Sequence, residues 1–219
     1  LMVSSRGSDN AVTAWQLLKA LYSKLMGAVR GAGAPNFMDD GVVCRTHPTK
    51  QWVAYAAYMD NAVHVVDVSD PKAPKIIGTA RGTGGAEGYY LNRPHSLVFY
   101  EDWLVVAAGE DAALSVIDVK DPTSETWMGC LGAIQGAHGA NGCYLYGVSD
   151  VALKQIGSSI YAFTCSRQDG NRDDPDDEDS AGCLQCFDIT EPTVIALVGG
   201  AYCDQAPYDE AGSWELEGG

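Results

Sequence analysis

An all-β fold is predicted for this 219-residue chain from three features of its sequence. Four segments share one alternating template rich in β-branched residues, which is typical of half-buried strands. A glycine follows the seventh position of every template segment by eleven residues, and in three units an acidic residue and a proline stand between them. The segments are Asn10–Leu17, Asn61–Val68, Ala112–Val119 and Gly182–Ile189, and the glycines are Gly27, Gly78, Gly129 and Gly199.

Each unit repeats one order of elements. Two short apolar runs precede a polar turn and the template segment, so the second run and the template form a hairpin. The acidic residue and proline then end the template strand, because proline cannot donate to a sheet ladder. A last apolar run reaches the glycine, and the stops are Asp70-Pro71, Asp121-Pro122 and Glu191-Pro192.

Four antiparallel strands that recur about every fifty residues predict a β-propeller of four-stranded antiparallel blades. Asp67 and Asp118 stand 51 residues apart, and Asp188 follows after 70 residues. About four blades fit in the chain, which is predicted to be one domain over residues 1–219. The predicted blade units are approximately 1–30, 40–80, 95–132 and 150–203, with 204–219 as a closing strand or a tail.

The template strands and their stops resemble a known repeat. Residues Val63–Gly78 read VHVVDVSDPKAPKIIG, which resembles the LVIVD repeat of bacterial and algal surface propellers. Leu114–Pro122 and Leu184–Pro192 look like the same motif, and the resemblance extends over most of residues 40–204. That family is poorly defined in function, so the resemblance implies a fold and little chemistry.

The first unit departs from the pattern. Residues 17–26 contain strong helix formers and no acidic residue–proline stop, so Thr13–Val29 alone would be interpreted as an amphipathic helix. Asn10 and Gly27 keep the repeat register, which favours a degenerate blade made of strands. A short helix near 18–25 is the intermediate alternative.

The two ends of the chain suggest ring closure. Ser213–Gly219 resembles an innermost strand and turn, and Leu1-Met-Val stands where the next strand should be. Joining these two ends would complete the first blade and close a four-bladed ring. The competing interpretation is a fragment of a longer propeller.

The charge of the chain excludes some partners. The formal net charge is −15, and most of it lies in residues 169–179, with seven acidic residues and Arg172, and in residues 204–217, with five acidic residues. Such a surface repels phosphate backbones, so nucleic-acid binding is not expected, and cations are the more natural partners. No stretch of about eighteen apolar residues predicts a membrane span.

Seven cysteines are many for a cytosolic protein, and pairing of some of them is favoured by an oxidising compartment. A secreted or cell-surface location is therefore favoured, and buried free thiols are the alternative. Cys165 and Cys183 bracket the acidic insertion, where a disulfide would clamp the base of the loop. Cys183 and Cys186 form a CxxC, but alternation along a strand directs them to opposite faces.

The long loops are expected on one face of the propeller, together with any function. They are Arg30–Asp40, Arg81–Pro94, Gly132–Ser149 and the insertion Ser166–Gly182. Within the insertion, Asp169, Asn171, Asp173 and Asp177 have the 1, 3, 5, 9 spacing of a Ca²⁺ loop. Position 6 is Asp174 instead of glycine, and a solvated acidic loop is the alternative.

A second candidate site is predicted where the innermost strands begin. Asp40, His95 and Asp150 align approximately there, and His138 lies in a glycine-rich loop nearby. Two histidines and two carboxylates could hold a transition metal or act as acid and base. The alternative is that they cap strand ends and bind backbone amides.

Other polar residues are expected to be structural. They are His47, His64 and the repeated Asp67, Asp118 and Asp188, which are predicted to bind the proline-containing turns. No Gly-x-Ser-x-Gly, Walker or dinucleotide motif is present.

The sequence therefore supports two functions. The first is a non-enzymatic binding or scaffold propeller that presents an acidic, loop-rich face to a protein partner, a larger assembly or Ca²⁺. The second is a metal-dependent propeller enzyme of the lactonase or hydrolase type, with its site at the mouth of the central channel.

Overall fold

The computed structural model describes residues 2–4, 11–18, 22–31, 34, 36–85, 88–123, 128–137, 142–166 and 182–202. These residues form fifteen β-strands and no α-helix, so the predicted all-β class is confirmed. The strands are β1 Met2–Ser4, β2 Ala11–Leu18, β3 Tyr22–Arg30, β4 Gly41–Thr46, β5 Trp52–Ala57, β6 Ala62–Asp67, β7 Lys75–Arg81, β8 Pro94–Tyr100, β9 Trp103–Ala108, β10 Ala113–Asp118, β11 Cys130–Gln135, β12 Val148–Ile156, β13 Ser159–Ser166, β14 Cys183–Asp188 and β15 Ala196–Tyr202.

The strands form four antiparallel sheets in chain order. Blade 1 contains β1, β2 and β3, and three four-stranded sheets follow: blade 2 (β4–β7), blade 3 (β8–β11) and blade 4 (β12–β15). Inner strand β8 packs against both β4 and β12, as neighbouring blades do around a common axis. The predicted four-strand unit is confirmed for blades 2, 3 and 4, and the architecture is propeller-like.

Blade 1 is made of strands despite its helix-forming residues. β2 and β3 pair antiparallel, with Ala14 opposite Gly27. The strand interpretation is therefore confirmed, and the alternative of a short helix near 18–25 is wrong because β3 begins at Tyr22. Val12 is buried in a core cluster with residues of blade 2, and such burial outweighs the small differences in helix propensity.

The outer strands of blades 1, 2 and 3 carry a glycine where the next blade approaches. A Cβ on Gly78 would lie 2.6 Å from the carbonyl oxygen of Pro122, so only glycine fits. By register, the glycine that corresponds to it in blade 3 is Gly132, which lies opposite Val116. The sequence-based choice of Gly129 is therefore wrong, because Gly132 stands sixteen residues after its partner Val116, whereas Gly78 stands thirteen residues after its partner Val65.

The hydrophobic core lies between the blades. Three clusters of buried apolar side chains join blade 1 to blade 2, blade 2 to blade 3 and blade 3 to blade 4. Short turns close one end of the blades, and the long inter-blade loops close the other end, which is called the loop face below. Among the described residues, no helix is long and apolar enough to cross a membrane.

Candidate functional site

Each complete inner strand begins at the loop face with a β-bulge. The registers skip one residue at Val42 in β4, at His95 in β8 and at Ser149 in β12. Bulges redirect side chains and are frequent beside functional sites. Asp40 stands two residues before the bulge of β4 and Asp150 one residue after the bulge of β12, so the approximate alignment with His95 is offset by one or two positions.

The residue two positions before each bulge has a left-handed backbone. Its φ is 49° at Asp40, 55° at Arg93 and 65° at Gly147. This conformation costs a non-glycine residue about 1 kcal/mol, and such strain is concentrated at functional sites. Backbone bonds maintain it, because the Asp40 carbonyl accepts from Tyr58 N at 3.0 Å and the Arg93 carbonyl accepts from Gly109 N at 3.1 Å.

The imidazole of His95 is held between blades 2 and 3. Its ring contacts Tyr58 edge to face, with centroids 5.1 Å apart. On the blade 3 side, a Cβ on Gly109 would lie 2.9 Å from His95 Cδ2. The absence of a side chain at Gly109 therefore makes room for the His95 ring.

Arg93 extends this cluster along the loop face. Its Nη1 donates to Glu110 Oε1 at 2.8 Å, and its guanidinium lies 5.3 Å from the centre of the Tyr58 ring. Tyr58 and Glu110 raise the pKa of Arg93 above its usual value, so the arginine is a permanent cation. Tyr58 and Arg93 were not identified from the sequence. Arg93 could have been noticed, because it directly precedes Pro94 at the start of β8.

Asp150 links the inner strands of blades 3 and 4. Ser96 Oγ donates to Asp150 Oδ1 at 2.5 Å, and the same oxygen accepts from Val151 N at 2.9 Å. Asp150, the predicted catalytic carboxylate, thus joins two neighbouring inner strands and accepts from a backbone amide. These contacts correspond to the structural role that the sequence offered as the alternative to catalysis.

The four residues of the predicted transition-metal site are only partly described. Asp40, His95 and Asp150 lie at the loop-face ends of the inner strands, and His138 lies outside the described residues. Within the part of the chain that the structure describes, no group of three or more His, Cys, Asp or Glu side chains could hold a metal ion.

A repeated polar side chain anchors each inter-blade loop. The fourth template position is buried in all three complete blades, as His64, Ser115 and Gln185. His64 Nε2 donates to Phe37 O at 2.5 Å, and Ser115 Oγ donates to Tyr90 O at 3.4 Å.

Gln185 anchors its loop with two hydrogen bonds. Its Nε2 donates to Gly142 O at 2.9 Å, and its Oε1 accepts from Tyr144 N at 2.7 Å. In every case, the anchored loop is the one that enters the same blade. The sequence contained a signal for this anchoring role, because the fourth template position is polar in all three complete blades.

The two histidines of blade 2 have structural roles, as expected from the sequence. Burial lowers the pKa of His64 to about 4, so it is neutral at physiological pH, and Thr79 Oγ1 donates to its Nδ1 at 2.9 Å. His47 Nε2 donates to Glu101 O at 2.9 Å, which ties a turn of blade 2 to blade 3.

The repeated aspartates stabilise turns at the end opposite the loop face. Each Oδ1 accepts the backbone N–H two residues later: Asp67 from Ser69, Asp118 from Lys120 and Asp188 from Thr190, at 2.8, 2.8 and 2.9 Å. The bond to Ser69 lowers the pKa of Asp67, and the bonds to Thr190 lower the pKa of Asp188. Their recurrence therefore reflects the Asx turn, as predicted.

The acidic insertion leaves blade 4 at the loop face. Ser166 and Cys183 pair at the loop end of the β13–β14 hairpin, so both ends of the insertion are fixed there. The predicted Ca²⁺ ligands Asp169, Asn171, Asp173 and Asp177 lie outside the described residues.

The proposed cysteine clamp of the insertion is absent. No disulfide joins Cys165 to Cys183. Cys165 pairs with Leu184 and Cys183 pairs with Ser166, so the two side chains point to opposite faces of the sheet. The same alternation separates Cys183, which is buried, from Cys186.

These sheets, bulges and anchored loops define a propeller-like repeat protein. The model of the LVIVD repeat matches residues 53–81, which form most of β5, β6 and β7. The resemblance found in the sequence is confirmed over these residues of blade 2. No curated protein matches the chain by sequence.

Solved structures share the fold. A functionally unknown protein from Desulfotomaculum acetoxidans matches with a TM-score of 0.55 and 13% identity, over 90% of this chain and 54% of its own. A protein from Lactobacillus plantarum matches with a TM-score of 0.63 and 14% identity, over 94% and 54%. A proposed 6-phosphogluconolactonase from Bacteroides fragilis matches with a TM-score of 0.53 and 12% identity, over 90% and 55%.

These likenesses concern the fold alone, because each identity is far below 25%. The chain spans about half the length of the structures that it matches.

Proposed function

We propose that this chain is a non-enzymatic binding propeller that presents its acidic loop face to Ca²⁺ or to a protein partner. The observation that carries the proposal is the repeated anchoring of the inter-blade loops by His64, Ser115 and Gln185. A surface that is already ordered loses less conformational entropy on binding, so such loops suit recognition.

The charge of the insertion indicates the kind of partner. Residues 169–179 carry seven acidic side chains and Arg172, and the hairpin pair of Ser166 and Cys183 holds both ends of the insertion at the loop face. Carboxylate oxygens at alternate positions are the ligands that Ca²⁺ prefers. A basic surface on a protein would be attracted by the same charge.

Calorimetric titration of the chain with calcium chloride tests the cation. Ca²⁺ is expected to bind and to raise the melting temperature, and Asp173→Ala is expected to weaken binding at least about tenfold because it removes a ligand oxygen. Asp174→Ala is the matched control, since it removes the same charge from a position that the 1, 3, 5, 9 spacing leaves unused.

Two results would reject calcium: no heat and no shift of melting temperature in millimolar calcium, or equal weakening by both variants. Salt-sensitive binding of a polylysine peptide, weakened when residues 169–179 are replaced by a Gly/Ser linker, would then support a basic protein partner. Absence of both kinds of binding would sink the proposal.

A metal-dependent hydrolase that uses Asp40, His95, His138 and Asp150 is the second candidate. It is favoured by the contacts of His95 and of the cationic Arg93 with the same Tyr58 ring at the loop face, and the Bacteroides fragilis protein that shares the fold is described as a proposed 6-phosphogluconolactonase. Metal analysis separates the two functions. One tightly bound transition metal that is lost in His95→Ala would replace the binding proposal.

A further inference from the structure

Blade 4 has one apolar face that the described residues leave uncovered. Burial alternates along β13 and β14, so that Ala162 and Phe187 are buried while Cys165 and Leu184 are exposed. Leu184 is 51% exposed. The pairs Phe163–Cys186 and Cys165–Leu184 lie side by side on this uncovered side, and these four residues are called the open face of blade 4.

The corresponding residues of blade 3 contact the next blade. By register they are the pairs Val105–Val116 and Ala107–Leu114. All four are buried in a cluster with residues of blade 4, which include Leu145, Val148 and Ile160.

Blade 2 repeats the arrangement. The pairs Ala54–Val65 and Ala56–Val63 occupy the same register positions. They are buried in a cluster with residues of blade 3, which include Leu97 and Leu104. The open face of blade 4 is therefore apolar at the positions that form a blade–blade interface twice in this chain.

The glycine of the outer strand gives an independent indication. A Cβ on Gly27 would lie 2.6 Å from Lys72 O, one on Gly78 would lie 2.6 Å from Pro122 O, and one on Gly132 would meet Pro192 O. Each of these oxygens belongs to the proline-containing turn of the following blade. Gly199 stands at the same register position in blade 4, opposite Cys186, and no described atom lies within 4 Å of its Cβ position.

We propose that the open face of blade 4 is the docking surface for a fifth blade of the same repeat type, continuing the ring in the same polypeptide. Its acidic residue–proline turn lies against Gly199, and its inner apolar side covers Phe163, Cys165, Leu184 and Cys186. The length of the similar structures agrees with this arrangement, because the chain spans only 54–55% of each.

Blade 1 fits the open face less well than a complete blade does. Its template strand is followed by Leu18-Lys-Ala-Leu-Tyr22, which contains neither the acidic residue nor the proline. A second copy of the chain fits poorly for a related reason, because the turns at Pro71, Pro122 and Pro192 are already seated against glycines within each copy.

The test compares the 219-residue chain with the same chain extended by a second copy of residues 142–202 that carries Cys165→Ser, so that only the original Cys165 is followed. The added blade is expected to slow maleimide labelling of Cys165 at least tenfold. It is also expected to make Gly199→Val destabilising, whereas the same substitution leaves the melting temperature of the 219-residue chain within about 1 °C. Gly129→Val is the control, because it replaces an exposed glycine between β10 and β11 that has open space around it and a backbone outside the left-handed region.

An extension with a copy of residues 82–135 guards against failure of the first added blade to fold. Protection of Cys165 by either extension supports the proposal, and failure of both to protect it overturns the proposal. Slow labelling of Cys165 and destabilisation by Gly199→Val in the unextended monomer would mean that blade 1 closes the ring. A sedimenting dimer that Gly199→Val dissociates would mean that a second copy is the occupant, and either result also overturns the proposal.

Discussion

Blades 2 and 3 differ from blade 4 in how much of each sheet is covered. In β9 and β10, the residues Leu104–Ala108 and Ala113–Ile117 are buried on both sides of the sheet, whereas burial in β13 and β14 alternates residue by residue. The two hairpins belong to the same repeat unit and have the same register between their strands. The repeat sequence therefore specifies the strands of a blade, whereas contact with neighbouring blades determines which faces of its sheet are buried.

Truncation of one leucine in each blade gives the largest expected contrast. Leu114 is 0% exposed and Leu184 is 51% exposed at the same template position. Leu114→Ala is expected to reduce the free energy of unfolding by about 2–5 kcal/mol, because it leaves a cavity between two blades. Leu184→Ala is expected to cost less than about 1 kcal/mol. Urea denaturation of both variants measures the contrast, and equal losses would show that blade 4 is as enclosed as blade 3.

His64, the side chain that anchors the loop entering blade 2, is expected to make the stability of the folded protein depend on pH. The pKa of His64 is about 4 in the folded protein and near 6.5 when exposed. Between these values the unfolded chain binds a proton that the folded chain does not, so stability falls as the pH falls from 6.5 to 4. The loss attributable to His64 is roughly 3 kcal/mol.

His64→Gln is the control for this pH effect, because blade 4 uses a glutamine at the same position and Gln185 does not titrate. The variant is expected to keep the anchor and to lose the acid dependence above pH 4. Thermal melts at several pH values measure both. An unchanged pH profile in His64→Gln would show that other groups cause the acid sensitivity.

The anchors of blades 3 and 4 give the smallest contrast. Gln185 makes two bonds at 2.7 and 2.9 Å, whereas Ser115 makes one bond at 3.4 Å. Gln185→Ala is expected to cost about 1–3 kcal/mol, because it removes a buried side chain and two hydrogen bonds to the backbone of Gly142 and Tyr144, and Ser115→Ala is expected to cost less than about 1 kcal/mol. Hydrogen exchange at Tyr144 N–H locates the effect, and unchanged protection there in Gln185→Ala would contradict the anchoring role.

Much of the fold could be predicted because strands carry their pattern locally. The alternation in Asn61–Val68 and the stop at Asp70-Pro71 were enough to locate β6 and its turn. Single-residue shifts could not be predicted in this way. Gly132 replaces Gly129, and the bulge position that holds His95 in β8 holds Val42 in β4 and Ser149 in β12, because register depends on hydrogen bonds to a partner strand.

The candidate site was predictable only in part for a similar reason. His95 could be identified as a polar residue at a strand start, but its neighbours Tyr58 and Gly109 come from different blades and show no common motif. Asp150 was predicted as a candidate acid or base, and its bond to Ser96 depends on contact between two inner strands.

Local pattern accounts for the repeat, for the antiparallel strands of each blade and for the turns at Asp67, Asp118 and Asp188, because alternation and short-range hydrogen bonds are properties of neighbouring residues. It does not reveal which faces of the blades are buried, which glycine contacts the next blade or which polar side chains anchor the loops. Those features arise where two blades meet, and contact between residues distant in the chain is fixed by packing rather than by local pattern.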